Sequence, residues 1–191
     1  MSIKPVNAGR PRSQQAHDAV IAATKRLIET LAYPDVSVDR IVAESGVSKR
    51  TIYRWWSNKA AIILEVVSSK DITEPNTGSL EGDLIALLTG IFNNVTTNRT
   101  SDAIRGLLAD AQFNPEFAEQ FRVYIVGRRQ VCLNIIQHAI DRGELSQDVN
   151  AELFADLIYG PYWYRLLIGH APLSEAFAKE LVKSIVGKMQ L

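Results

Sequence analysis

Cysteine is almost absent from this chain. Cys132 is the only one in 191 residues, which excludes an intrachain disulfide and any metal site built from clustered thiolates. A reducing cytoplasm is the expected setting. Long apolar runs are missing too. The longest stretch without a charged residue runs from Leu84 to Asn98 and ends in Asn, Thr and Asn. It falls short of the roughly 20 apolar residues needed to span a bilayer. Met1 to Ser13 carries Lys4, Arg10 and Arg12 and no apolar core, so a secretory signal is not expected there.

Catalytic signatures are also lacking. His17, His138 and His170 are scattered without paired ligand spacing, and no glycine-rich phosphate loop, nucleophile elbow or zinc motif occurs. Acidic pairs such as Asp102/Asp110 and Glu116/Glu119 suit solvated helix faces, and Cys132 suits a core position. Catalysis is therefore rejected, and no metal or cofactor is expected. Internal repeats and strand-type alternation are scarce as well.

What is present is an ordinary globular composition, 47% hydrophobic and 22% charged, with a formal net charge of zero. That neutral total hides a division. Residues 1–60 hold ten basic and five acidic side chains, whereas the other 131 hold eleven and sixteen, so the two parts carry +5 and −5. Such asymmetry points to an acidic partner for the first part.

Helical spacing dominates the chain. Ala16, Val20, Ala23, Leu27 and Leu31 form one face of a first helix, which Tyr33-Pro34-Asp35 ends. Ser37 is placed to cap a second helix with Val38, Ile41 and Val42 inward. Gly46 supplies the positive φ of a turn, Val47 plugs the angle, and Ser48 caps a third helix to about Trp55. Ser57 is read as the start of a fourth. Asp71 to Ser79 reads as a linker, followed by helical stretches at about 80–97, 101–112, 115–142, 150–170 and 174–188. Their signals are Ser101 before Asp102, Asn114 before Pro115, Ser174 before Glu175, and Gly143 as a closing C-cap.

The fold class expected is therefore all-α: a three-helix, helix-turn-helix head joined by a fourth helix to a larger helical domain. Residues 1–12 read as a basic arm expected to be disordered, 13–70 as the head and 71–191 as the body.

The stretch from Ser48 to Lys59 carries the functional signal. On a helix packed through Val47 and Ile52, Lys49, Arg50, Tyr53 and Arg54 lie on the outer arc. A helix of this kind fits the major groove of double-stranded DNA. Arg50 suits a bidentate pair with guanine and the Thr51 methyl a thymine methyl, while Tyr53, Lys59 and the helix N-termini suit phosphates. At least one of Trp55 and Trp56 is expected to pack between helices.

Residues 12–68, and Ser37 to Ile63 in particular, resemble the N-terminal domain of the TetR family of transcriptional regulators. Gly46-Val47-Ser48, Thr51, Tyr53 and Lys59 fall in step with its helix-turn-helix. Trp55-Trp56 departs from the His-Phe common there. The resemblance implies DNA contacts from Ser37, Ser48, Lys49, Arg50, Thr51, Tyr53, Arg54 and Lys59. It also implies a minor-groove arm at Gly9-Arg10-Pro11-Arg12, through Arg10 and Arg12.

Asn114-Pro115-Glu116-Phe117-Ala118, Gly160 to Leu167 and Pro172 to Phe177 resemble a C-terminal subtype of the same family. This implies a small-molecule effector domain and a homodimer made through the last two long helices. Eleven of fifteen aromatics lie beyond residue 70, and an aromatic helical interior can host a small apolar ligand. The candidates are Phe92, Phe113, Phe117, Phe121, Tyr124, Tyr159, Tyr162 and Trp163. Leu153, Phe154, Leu157, Ile158, Leu166, Leu167, Ile168, Phe177, Leu181 and Ile185 exceed what a terminal hairpin needs, and a second subunit is expected to bury some of them.

The function expected is a sequence-specific, ligand-released repressor that binds a palindromic operator as a dimer. A helical protein-interaction module, and a DNA binder without ligand control, remain the alternatives.

Overall fold

The computed structural model describes residues 10–69, 73–97 and 99–189, with side chains from Gln14 to Gly187 within them. Among these residues the secondary structure is helical throughout. The head contains α1 (Arg10–Thr30), a 3-10 turn (Tyr33–Asp35), α2 (Val38–Ser45), α3 (Lys49–Ile52) and α4 (Lys59–Ser68). The body contains α5 (Leu80–Thr96), α6 (Thr100–Phe113), α7 (Pro115–Asp141), α8 (Ala151–Ile168) and α9 (Glu175–Met189).

Most boundaries follow local chemistry. Ser37, Ser48, Asn114 and Asn150 each accept a hydrogen bond from a backbone N–H three residues on, which satisfies a donor the helix cannot pair itself. Four boundaries differ from expectation. Asn58, not Ser57, caps α4 by accepting from Ala61 N at 2.9 Å. α3 is regular only to Ile52, and turns carry the chain on to Trp55. α6 starts at Thr100 rather than after Ser101, with Arg99 at φ 55°. That unfavourable backbone is held by the Arg99 guanidinium, which bonds Asp102 and the Thr30 carbonyl. The described part of α1 already runs from Arg10, inside the segment read as an arm.

The apolar face of α1 is centred on Val20, Ala23 and Ile28, with Leu27 and Leu31 at its margin. α4 has no solvated face to match. Ala60 to Leu64, Val66 and Val67 are all buried, because α1, α6 and α7 surround it. One apolar cluster thus runs from the head through α4 to Val186 in α9. In the body α5 packs on α7 and α9, and α8 on α7, α9 and α6.

A second tie joins head to body. The Tyr33 hydroxyl donates to Asp110 Oδ2 at 2.5 Å, and its ring lies on the backbone of α6 at Gly106. A Cβ at position 106 would sit 2.1 Å from Tyr33 Cγ, so only glycine permits this approach.

Candidate nucleic-acid interface and ligand cavity

The turn between α2 and α3 is built by Gly46, at φ 69°, and by Ser45 Oγ, which accepts from Val47 N at 3.2 Å. Val47 and Ile52 then pack inward, so the remaining residues of α3 face outward. Arg50 and Arg54 are exposed, and among the described residues no carboxylate pairs with either. Tyr53 is 53% exposed beside them. Arg40 on α2 is exposed in the same way and escaped the sequence reading, which looked only for α2's inner face.

Other expected contacts are already engaged. Lys49 Nζ lies 2.6 Å from Asp39 Oδ1, an ion pair that raises the lysine pKa further and ties α3 to α2. Thr51 Oγ1 is 3.0 Å from Ser48 Oγ, so its methyl rather than its hydroxyl is left for a partner. Ser37 and Ser48 serve as caps. Lys59 donates to the carbonyls of Tyr33 and Val36 at 3.1 and 3.2 Å and lies over the Tyr33 ring. Its ammonium thus fastens the 3-10 turn to the start of α4. The side chains of Arg10 and Arg12, and residues 1–9 of the arm, lie outside the described residues.

Behind α3 sits a cluster that links three elements. His17 stacks on Trp56 at 5.0 Å and meets the edge of Trp55 at 5.6 Å. Glu65 of α4 accepts from Trp56 Nε1 at 2.6 Å and lies 2.7 Å from His17 Nε2. Both tryptophans pack, and the second is buried. Helical spacing from Val20 back to His17 was the available signal for the histidine's role.

The body holds a cavity of about 470 Å³. Its apolar wall is Val67 of α4, Ile91 and Val95 of α5, Ile104 of α6, Tyr124 and Ile125 of α7, and Tyr159, Tyr162 and Trp163 of α8. Asn94, Thr100, Arg128, Arg129 and Asp156 add polar groups. Burial pushes the Tyr124, Tyr159 and Tyr162 hydroxyls up from their ordinary pKa, so all three remain neutral donors.

Four of the eight expected aromatics therefore line the cavity, and four do not. Phe92 is core, stacked between Tyr162 at 5.9 Å and Phe177 at 5.7 Å. Phe117 and Phe121 are buried where α7 packs, and Phe121 reaches the cavity only through its contact with Tyr124. Phe113 is the last residue of α6 and is 90% exposed.

The sequence reading missed the two arginines. Arg129 is bound by Glu152 and Asp156, the latter at 2.7 Å. Arg128 lies over the Tyr124 ring and donates to the carbonyls of Val67 and Ser68, at 3.3 and 3.2 Å. Its position four residues after Tyr124, on the same helix face, was the usable signal.

Residues 20–66 match the bacterial regulatory proteins of the tetR family, and residues 74–185 match the tetracyclin repressor-like C-terminal domain. YdeS, an uncharacterized HTH-type transcriptional regulator of Bacillus subtilis, is 34% identical over 178 residues, covering 91% of this chain and 89% of its own. The crystal structure of the TetR family transcription regulator SCO0332 superposes with a TM-score of 0.74 at 29% identity, covering 91% of this chain and 97% of that one. The transcriptional regulator FadR of Bacillus subtilis, crystallised with stearoyl-CoA, shares the fold with a TM-score of 0.67 at 19% identity, covering 91% and 97%. The chain belongs to the TetR family and is a DNA-binding transcriptional regulator.

Proposed function

We propose that this regulator is a repressor that binds a palindromic operator as a homodimer and is released by a small apolar molecule held in the α4–α8 cavity. The observation that carries the reading is Val67: the helix that starts at the helix-turn-helix also forms part of the cavity wall. A ligand that fits the cavity better with α4 in one position than in another biases the two DNA-reading helices by that difference in affinity.

On the operator, Arg50 would read a guanine, the Thr51 methyl a thymine, and Tyr53 and Arg54 the phosphates. Lys49 joins them only by giving up Asp39, and Lys59 contributes chiefly by fixing the frame. Homodimer formation is supported by an apolar stripe on α8. Leu153, Leu157, Tyr164, Leu167 and Ile168 are exposed at helical spacing, whereas Phe154, Ile158 and Leu166 are already buried within the chain. Stearoyl-CoA in a neighbour of the same fold supports an effector with a long apolar part. No helix among the described residues is long and apolar enough to cross a membrane, which fits a cytoplasmic site of action.

The test is fluorescence anisotropy of the full chain on a duplex selected from a random pool, with and without compounds found by thermal shift. A compound that raises melting temperature and weakens DNA binding supports release. Compounds that stabilise the protein and leave DNA affinity unchanged contradict it.

A further inference from the structure

The last turn of α4 presents four carbonyls that no residue of the helix can satisfy. Ser69 takes two of them, its N–H donating to Glu65 O and its hydroxyl to Val66 O at 2.7 Å. Arg128 of α7 takes the other two, Val67 O and Ser68 O. Its positive charge also complements the negative end of the helix dipole. The guanidinium is half-buried in the cavity wall, and among the described residues no carboxylate pairs with it. Arg129 beside it is held by Glu152 and Asp156. Among the described residues the cavity therefore contains one cation bound only by neutral acceptors, at the point where the body holds the end of the head's last helix.

A carboxylate or phosphate competes well for such a group, since it adds the attraction of a full negative charge and a bidentate match to the guanidinium, neither of which a carbonyl offers. The geometry points to an effector with an apolar body and one anionic oxyanion head, the body lying along Val67, Tyr124 and Trp163 and the head drawing Arg128 away from Val67 O and Ser68 O. Arg128 is then both the residue that selects the ligand's charge and the residue through which binding reaches α4. The loss of that cap removes the side-chain donor from Val67 O and Ser68 O together with the charge that complements the helix end, and so loosens the hold of α7 on α4. This inference rests on the cavity being the effector site.

The experiment compares straight-chain alkanoates, alkyl phosphates and 1-alkanols of matched length, from octyl to hexadecyl, on the full-length chain. Binding is read by calorimetry, and DNA release by anisotropy on a duplex selected from a random pool. One or both anions are expected to bind about tenfold or more tightly than the alcohol, a preference set by one charge-assisted hydrogen bond. Which anion binds best distinguishes a free acid from a phosphorylated lipid.

Arg128→Met is expected to abolish the preference and the anion-driven release of DNA, and Arg128→Lys to keep the preference. Circular dichroism establishes that each variant is folded. Alcohols that bind as tightly as the anions, with Gly160→Trp blocking both, overturn the anionic head and leave the cavity reading intact. An anion preference or release that survives Arg128→Met overturns the role of Arg128. Binding of every probe unaffected by Gly160→Trp, or of none, overturns the inference together with the cavity reading.

Discussion

At the scale of single residues, the structure separates side chains that are free to meet a partner from side chains that hold the frame. Arg50 belongs to the first kind. Its replacement by alanine should relax the preference for one base of the operator, costing about 1–3 kcal/mol, measured by competition between duplexes that differ at one position. Lys59 belongs to the second. Lys59→Met removes the side-chain donor to the carbonyls of Tyr33 and Val36, the first of which keeps the Val36 N–H, and should lower stability by about 1–3 kcal/mol in urea unfolding. Cys132 is buried, and burial pushes its thiol up to about 12 from an ordinary 9.0. The folded chain keeps a proton that the unfolded chain gives up, so the stability present below pH 9 is lost as the pH rises from 9 towards about 12. Cys132→Ala should flatten that decline in alkaline unfolding curves, with the buried tyrosines accounting for the slope that remains.

Among the elements, α1, α2 and the body helices were readable from apolar spacing, caps and turn residues. Asn114-Pro115 and Gly143 marked the two ends of α7 because capping chemistry is local. α4 was harder. Its near-total burial removes the amphipathic contrast on which spacing arguments depend, and Ser57 and Asn58 both suit its cap by side-chain type. The cavity was half legible for a similar reason. An aromatic at helical spacing announces that it faces inward, but not whether another side chain or open space lies against it: Phe92 and Tyr162 stack on each other, yet only Tyr162 also lines the cavity. The groups that Arg128 and Arg129 bind lie on other helices, where helical spacing carries no signal of them. Gly106 is an element-scale feature as well, since it lets Tyr33 lie on α6. Gly106→Ala should cost about 1–3 kcal/mol by overpacking against that ring, and should weaken DNA binding more than stability alone explains if the Tyr33 contact sets the position of the head.

At the scale of the whole molecule, the charge of +5 on residues 1–60 and −5 on the remainder gives the chain one end suited to DNA. The acidic body holds the cavity and the exposed apolar stripe on α8. Leu157→Arg, placed in that stripe, should yield a folded monomer by sedimentation and lower operator affinity by orders of magnitude, because two half-sites are no longer bound together. The central claim is that α3 reads DNA as one of a pair. The measurement that tests it most directly is the salt dependence and stoichiometry of binding to a duplex selected from a random pool. The account predicts two chains per palindromic duplex and an affinity that falls linearly with salt on logarithmic axes, with a slope reduced by about 1 per subunit in Arg54→Ala. Failure of the full chain to select any duplex, or a salt slope near zero, would contradict it.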